Sequence, residues 1–361
     1  MMGEIKRILN ICTECGICLE ECDFLQKYCN SPKELAVNYL QDKFVNTPHI
    51  PYSCNMCTFC KSICPQGLDI GKMSLEMRQE MVQLGIGPLE QHASIKEAQE
   101  FYISDAFKVI IPSEDKNTKK IFFPGCSLSA YSPDIVIKTY EYLNEKLPGI
   151  GIMLGCCGGP AYLIGDQNTF KPISENLEYE VKKVGADQII VACPFCYNVL
   201  KQHNPGLNPI LIYTVLNEIG IPESKHESVI YNVHDPCTTR YEHEIPASVR
   251  SIIKKVGHSI NEIPHSKEES HCCGMGGMVY AVDEELGKLR SKRTIDEADK
   301  DIVTYCATCR ETLQGQGGHV IHVLDLIFNT ELENALKMPP NTPELSTGNM
   351  KLLKKILTQE E

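Results

Sequence analysis

Two runs of closely spaced cysteine near the N-terminus share one pattern, C-x2-C-x2-C-x3-C. They are Cys12, Cys15, Cys18 and Cys22, then Cys54, Cys57, Cys60 and Cys64, with Pro65 directly after the second run. Short C-x2-C loops direct three thiolates to one iron–sulfur cube, and the fourth cysteine reaches the neighbouring cube. The pattern predicts one [4Fe-4S] cubane on Cys12, Cys15, Cys18 and Cys64 and another on Cys22, Cys54, Cys57 and Cys60. Zinc is the alternative, but zinc sites use four ligands in C-x2-C pairs.

Ten later cysteines form a longer pattern that occurs twice. Each copy has a single cysteine, a Cys-Cys-Gly after 29 or 34 residues, and a C-x2-C after 34 or 31 more. The copies are Cys126, Cys156, Cys157, Cys193 and Cys196, then Cys237, Cys272, Cys273, Cys306 and Cys309. A cubane or a zinc ion needs four thiolates, so either one cysteine in each copy is spare or the cluster is not a simple cube. We expect an opened cluster with five thiolates, because one of two adjacent cysteines could bridge two irons.

The composition fits a soluble chain of two to three domains whose cysteines bind metal. The chain has 361 residues, 19 cysteines, no tryptophan and a formal net charge of -12. Nucleic acid is an unexpected partner for a chain without excess positive charge. The sequence contains no apolar run long enough for a membrane span and no signal peptide, so we expect a cytoplasmic protein. A reducing cytoplasm favours metal ligands over disulfides.

The C-terminal cysteine pattern lies on an internal repeat of about 110 residues. In each copy a short strand leads to the first cysteine, a helix follows before the Cys-Cys-Gly, and a second strand runs into the C-x2-C. The first copy has strands at 121–123 and 188–191 and a helix at 132–146, and the second has strands at 229–231 and 301–304 and a helix at 246–256. Such alternation predicts two pseudo-symmetric α/β units with parallel sheets, which place ligands beyond the carboxyl ends of their strands. The polar run from Ser113 to Thr118 predicts a linker before them.

The predicted fold is α+β, in four parts. A mainly helical ferredoxin-like domain occupies residues 1–112, the first repeat 119–224, the second repeat 225–335, and a C-terminal tail 336–361. In the first part, Ser31 and Asp69 are predicted helix caps. Met73, Met77 and Met81 recur at helical spacing and are expected in the core, as is Cys29, which belongs to neither pattern.

Taken together, these motifs resemble the catalytic subunit of heterodisulfide reductase and its relatives. The resemblance covers roughly residues 5–330. It implies a noncubane [4Fe-4S] cluster on each set of five cysteines, two cubanes that supply electrons, and two CCG domains that carry the catalytic pair. A disulfide such as that of coenzyme M and coenzyme B would be cleaved homolytically between the noncubane clusters, since each cluster passes one electron.

The same resemblance leaves a second function open. Some relatives are electron-transfer subunits of flavoprotein dehydrogenases or aromatic-ring reductase complexes. Expected partners are a flavin-containing or iron–sulfur reductase subunit, a hydrogenase or formate dehydrogenase module, or a membrane cytochrome b that would bring the chain to the membrane face. The sequence has neither a P-loop nor a complete G-x-G-x-x-G, so a flavin or nucleotide would belong to such a partner.

Four residues beside the cysteines are candidate catalytic groups. His234 and His271 are candidate proton donors, although each could instead bond a sulfide or the backbone. Arg240 and Arg310 are candidate contacts for an anionic disulfide, against the alternative of a solvated residue at a helix start. The glycines beside the Cys-Cys-Gly motifs are expected to let backbone N–H groups approach sulfide. They are Gly155, Gly158, Gly159, Gly274, Gly276 and Gly277.

Overall fold

The computed structural model describes residues 3–114, 117–223, 227–329 and 331–359. Outside these ranges lie Asp115 and Lys116 of the predicted linker, residues 224–226 at the predicted boundary between the repeats, and residues 360 and 361 of the predicted tail. No helix within the described ranges is both long and apolar enough to cross a bilayer. The architecture is α+β, with a helical N-terminal part followed by two separate sheets.

Eight helices form the N-terminal part within the described ranges. They are α1 Glu4–Ile11, α2 Ile17–Glu20, α3 Asp23–Tyr28, α4 Pro32–Asp42, α5 His49–Tyr52, α6 Phe59–Ile63, α7 Ile70–Gln83 and α8 Ala93–Ile103. The predicted caps are confirmed: the N–H of Glu34 donates to Ser31 Oγ at 2.9 Å, and that of Lys72 donates to Asp69 Oδ1 at 2.9 Å. Met73, Met77 and Met81 are fully buried on α7, so the interpretation of the methionines as core is correct.

The first repeat contains a five-stranded sheet in the order β1-β3-β2-β4-β5. The strands are β1 Val109–Ile111, β2 Lys120–Phe123, β3 Ile150–Leu154, β4 Gln188–Val191 and β5 Ile210–Leu211. Neighbouring strands are parallel except β1, which pairs antiparallel with β3. The helices that follow are α9 Gly125–Tyr131, α10 Pro133–Lys146, α11 Gly159–Leu163, α12 Gln167–Lys183, α13 Pro194–His203 and α14 Ile212–Ile219. Strand β1 lies before the predicted boundary and yet completes this sheet.

The second repeat contains a four-stranded, fully parallel sheet in the order β7-β6-β8-β9. Its strands are β6 Ile230–His234, β7 Ser259–Asn261, β8 Ile302–Thr304 and β9 Val320–His322. Its helices are α15 Glu244–Lys255, α16 Glu284–Asp296, α17 Ala307–Gly315 and α18 Val323–Phe328. Five strands end two or three residues before a cysteine: β2, β3 and β4 in the first repeat and β6 and β8 in the second. The thiols therefore lie at the carboxyl edges of the two sheets.

The C-terminal segment packs against the first repeat. It forms α19 Leu332–Lys337 and α20 Pro343–Thr358. Met350 and Leu353 of α20 are buried, and the side-chain amides of Asn341 and Asn349 each donate to the carbonyl of Ala130 at 2.8 Å. The segment therefore returns from the second repeat to the first and links them.

Candidate metal centres

The first group of N-terminal thiols surrounds Cys18. Burial raises the pKa of Cys18 to about 12, and the neighbouring thiols of Cys12, Cys22, Cys64 and Cys15 raise it further. Cys15 is exposed, so this group reaches the molecular surface. The fourth cysteine of the second run thus lies beside the first three of the first run.

The other N-terminal group surrounds a cavity. Burial raises the pKa of Cys60, followed by the effect of the nearby thiols of Cys22, Cys57 and Cys54. These four cysteines line one cavity, together with Cys18 of the first run and Arg290 of the second repeat. Four convergent thiols around a cavity fit a [4Fe-4S] cubane, which is held by cysteine thiolates.

The five thiols of the first repeat form one continuous series of contacts. Cys156 lies within hydrogen-bonding reach of Cys126 and Cys157, Cys157 of Cys196, and Cys196 of Cys193. Hydrogen bonds from Cys156 and Cys196 lower the pKa of Cys157. The five thiols therefore form one contiguous set in which none is set apart.

The second repeat reproduces this arrangement. Cys272 lies within hydrogen-bonding reach of Cys237 and Cys273, Cys273 of Cys309, and Cys309 of Cys306. In each repeat the glycine of the Cys-Cys-Gly motif donates its N–H to the sulfur of the first cysteine of the pair, Gly158 to Cys156 at 3.3 Å and Gly274 to Cys272 at 3.4 Å. Such N–H groups stabilise thiolate and cluster sulfur.

The two repeats face each other through reciprocal contacts. Cys193 of the first repeat and Cys306 of the second are within hydrogen-bonding reach. Thr308 beside Cys306 donates to Ser127 beside Cys126 at 2.9 Å, and Asn198 on α13 donates to the carbonyl of Thr238 beside Cys237 at 2.5 Å. We call this contact the seam. The helix that carries the C-x2-C motif of each repeat therefore contacts the residue directly after the first cysteine of the other repeat.

The cavity of the N-terminal part is joined to the second repeat. Cys57 lies within hydrogen-bonding reach of Cys272. Arg290 of α16 lies 3.0 Å from Asp23, and Arg293 donates to the same carboxylate at 2.7 Å. Asp23 stands where a proline often follows the run of cysteines, and its carboxylate provides this link to the second repeat.

Arg290 is expected to raise the reduction potential of the adjacent cubane. Burial opposes a charged guanidinium, yet its pKa is raised, because the thiols of Cys22 and Cys57, the carboxylate of Asp23 and the thiol of Cys272 lie close to it. The Coulomb energy between the guanidinium charge and one electron on a cluster ~8 Å away is about 2 kcal/mol at an effective dielectric constant of about 20. Arg290→Gln should therefore lower the potential by roughly 50–100 mV in an EPR-monitored titration. Arg293→Gln, whose side chain is 30% exposed, should shift it less; equal shifts would contradict the prediction.

The guanidinium groups of Arg240 and Arg310 both donate hydrogen bonds to backbone carbonyls. Arg240 donates to the carbonyls of Cys57 at 3.3 Å and Ser270 at 2.7 Å, and so bridges the N-terminal part and the second repeat. Arg310 is fully buried and donates to the carbonyls of Ala335 and Met338. The structure does not bring Arg310 to the cysteines, because it follows Cys309 on a helix and is rotated about 100° from it.

His234 and His271 lie beside the second repeat's cysteines as buried, neutral rings. Burial lowers the pKa of His234 to about 4 and that of His271 to about 3. Neither nitrogen of either ring has a hydrogen-bond partner within the described ranges. Phe59, between Cys57 and Cys60, contacts the His271 ring edge-on at 5.4 Å.

Gly276 and Gly277 make a close backbone contact that the sequence did not predict. Gly276 and Gly277 press against the backbone of Cys54 and Asn55, where an added Cβ would overlap the carbonyl oxygens. The side-chain amide of Asn55 donates to the carbonyl of Gly274 at 2.7 Å. These two glycines therefore allow close contact between the second repeat and the N-terminal part.

Gly277→Ala is expected to destabilise this contact. Gly277 has a φ of +64°, so alanine there would add backbone strain of about 1 kcal/mol to the overlap with Cys54. Gly317, with a φ of +89° and open space around its Cβ position, is the matched control. Thermal unfolding should show a loss of about 1 kcal/mol for Gly317→Ala and about 2–4 kcal/mol for Gly277→Ala. Equal losses of stability in the two variants would contradict the prediction, because the overlap of the added Cβ with the Cys54 carbonyl would then cost no free energy.

Arg78 on α7 joins all three parts of the chain. Its guanidinium donates to the carbonyls of Pro51 and Cys54 in the N-terminal part at 2.9 and 2.8 Å, of Leu163 in the first repeat at 2.6 Å, and of Gly277 in the second at 2.9 Å. The side chain is fully buried, and burial lowers its pKa to about 10. The role of Arg78 was not predicted from the sequence, because nothing in its local sequence indicates long-range partners.

Two family models match most of the regions that carry these cysteines. A 4Fe-4S dicluster domain matches residues 11–69, and a cysteine-rich domain named CCG matches residues 121–201 and 231–314. Together the matches cover more than half of the chain. The chain therefore belongs to the iron–sulfur oxidoreductases that combine a 4Fe-4S dicluster domain with two CCG domains, and it binds [4Fe-4S] clusters.

Homologues of the chain include one subunit of heterodisulfide reductase. That subunit of the dihydromethanophenazine:CoB–CoM heterodisulfide reductase of Methanosarcina mazei is 24% identical, with 84% of this chain and 88% of that protein covered. A subunit of the fumarate reductase (CoM/CoB) of Methanothermobacter marburgensis is 24% identical, with 88% and 70% covered. The EtfAB:quinone oxidoreductase of Syntrophomonas wolfei is also 24% identical over 72% of this chain.

Several relatives are longer than the aligned region. The chain spans 42% of the Syntrophomonas protein and 56% of an iron–sulfur protein of Methanocaldococcus jannaschii that is 24% identical.

Proposed function

We propose that the chain reduces a small-molecule disulfide, such as the mixed disulfide of coenzyme M and coenzyme B, at the seam between the repeats. The observation that carries the proposal is the meeting of two complete sets of five thiols at Cys193 and Cys306. Bound there, a pair of noncubane [4Fe-4S] clusters would supply one electron each. Two electrons and two protons convert one disulfide to two thiols, so the pair balances the reaction.

Access to the seam supports catalysis there. Cys126, Cys193 and Cys237 are partly exposed, whereas Cys156, Cys157, Cys196, Cys272, Cys273, Cys306 and Cys309 are buried. Ser127 and Thr238, each directly after the first cysteine of a repeat, are also partly exposed. Solvent therefore reaches Cys126, Cys193 and Cys237, and we propose that a small disulfide enters beside them, while the other seven thiols are buried.

The contacts between thiols support one order in which electrons would pass between the four groups of cysteines. The exposed Cys15 marks the entry at the first N-terminal group, and Cys57 touches Cys272 at the second. Cys306 then touches Cys193, so the second repeat is reached before the first. We propose that electrons pass in this order, with Arg240 and Arg290 holding the junction between the N-terminal part and the second repeat.

An electron-transfer subunit of a flavoprotein system is the second candidate. The exposed surface around Cys15 favours it, since Ile11 and Ile17 beside it are 38% and 40% exposed and suit contact with another protein. In that case the seam would relay electrons without binding a small molecule. A partner flavoprotein or iron–sulfur subunit belongs to either function, because the chain must receive its electrons from a donor.

Disulfide-dependent oxidation of a reduced dye tests the proposal. The full chain, purified with its clusters under anaerobic conditions, is mixed with reduced benzyl viologen and the disulfide of coenzyme M and coenzyme B. We expect rapid dye oxidation, and a paramagnetic signal in EPR when the oxidised protein meets coenzyme M alone. Absence of both responses in a protein that still oxidises the dye with an electron-transfer flavoprotein as acceptor would contradict disulfide reduction and establish the relay.

A further inference from the structure

Three potential metal ligands converge beside the second repeat's cysteines without belonging to either cysteine pattern. His265 precedes the short 3-10 helix Lys267–Glu269, His271 directly precedes Cys272, and Glu297 follows α16. Their ligand atoms all lie within 4.8 Å of one another. Nδ1 of His265 is 2.6 Å and Nδ1 of His271 is 3.0 Å from the same oxygen, Oε1 of Glu297. The two rings stack with centroids 4.1 Å apart and planes at 17°.

His271 has unmet bonding capacity. The residue is 5% exposed, and neither ring nitrogen has a hydrogen-bond partner in the described part of the chain, although Nδ1 faces the carboxylate of Glu297. A buried polar nitrogen without a partner is costly. A cation shared by the carboxylate oxygen and both Nδ1 atoms would satisfy all three groups at once, because each would offer it a lone pair.

The arginines near the three ligands are bonded to other groups. Arg240, Arg290 and Arg293 are the positive groups near His271, besides His265. Arg290 and Arg293 pair with Asp23, and Arg240 is bonded to backbone carbonyls. In the described part of the chain the carboxylate of Glu297 is bonded by His265 and pairs with no arginine.

We propose that His265, His271 and Glu297 bind one Zn²⁺ ion. Two imidazoles and one carboxylate form a common set of zinc ligands, and water would fill the fourth tetrahedral position. The ion would tie the loop before Cys272 to the end of α16. It would also stiffen the support of Phe59, whose ring packs edge-on against both histidines, at 6.4 Å from His265 and 5.4 Å from His271.

Metal analysis of single variants tests the site. The full chain is produced with zinc in the medium, purified anaerobically, and analysed for zinc and iron. We expect about one zinc per chain in the unchanged protein and loss of that zinc in His265→Ala and in Glu297→Gln, with iron unchanged. His319→Ala is the matched control, because His319 also lies near an acidic residue of the second repeat, Asp301 at 3.4 Å, but is 77% exposed. This control should retain zinc.

The zinc X-ray absorption spectrum identifies the ligands. We expect nitrogen and oxygen neighbours at about 2.0–2.2 Å, and no sulfur at about 2.3 Å. A chain without zinc, zinc retained in both variants, or a zinc with sulfur ligands would overturn the proposal. Because iron is measured in the same samples, loss of zinc through misfolding would be seen as loss of iron too, and would also count against the site.

Discussion

Cys273→Ser is expected to remove the cluster of the second repeat and to lower disulfide-dependent dye oxidation more than about 100-fold. Cys273 is buried and contacts both Cys272 and Cys309, so it is central to its set of five thiols. A serine hydroxyl is a poor substitute for thiolate as an iron–sulfur ligand. Iron analysis should show about four fewer iron atoms per chain, while the cubane signals persist.

Cys29→Ser is the matched control for this prediction. Cys29 is partly buried and lies outside both cysteine patterns, and its thiol donates to the carbonyl of Leu25 at 3.5 Å. Serine can make the same hydrogen bond, so iron content and activity should stay unchanged. The ligand assignment would be wrong if Cys273→Ser kept its full iron and activity, or if Cys29→Ser lost as much iron.

Arg78→Met is expected to produce the largest loss of stability. Methionine fills much of the same volume but leaves the carbonyls of Pro51, Cys54, Leu163 and Gly277 without their buried donor. Each unsatisfied carbonyl costs about 1–3 kcal/mol, so the total loss should be at least about 4 kcal/mol. Thermal unfolding under anaerobic conditions measures it.

Arg7 provides the comparison for Arg78. It also donates to two backbone carbonyls, those of Gln66 and Gly67, but its side chain is 35% exposed and both bonds lie within the N-terminal part. Water can replace its bonds, so Arg7→Met should cost no more than about 1 kcal/mol. Similar losses for the two variants would show that Arg78 does not hold the three parts together.

Local spacing was sufficient to predict what depends on neighbouring residues. The caps at Ser31 and Asp69, strand β4 and the helix after Ser132 are set by short-range contacts, and the structure has them where they were predicted. The grouping of Cys64 with the first run and Cys22 with the second follows from how far a short loop can reach. The assignment of these cysteines as ligands remains a prediction.

Contacts between distant segments could not be predicted in the same way. Arg78 and Arg290 lie within helices and Glu297 directly follows one, and the importance of all three arises only when the parts of the chain pack together. Arg310 was linked to the cysteines by proximity in sequence, yet the turn of α17 directs it to the C-terminal segment. Strand β1 joined the first sheet across the predicted boundary because its apolar residues pair with β3.

Quantifying iron, sulfide and zinc in the anaerobically purified chain is the strongest test of whether all four groups of cysteines bind iron–sulfur clusters. If both sets of five thiols bind noncubane clusters beside two cubanes, the chain should contain about 16 iron and 16 sulfide atoms, with zinc limited to about one ion that has no sulfur ligand. About 8 iron atoms together with two zinc ions ligated by sulfur would contradict the account, because the two repeats would then be zinc sites.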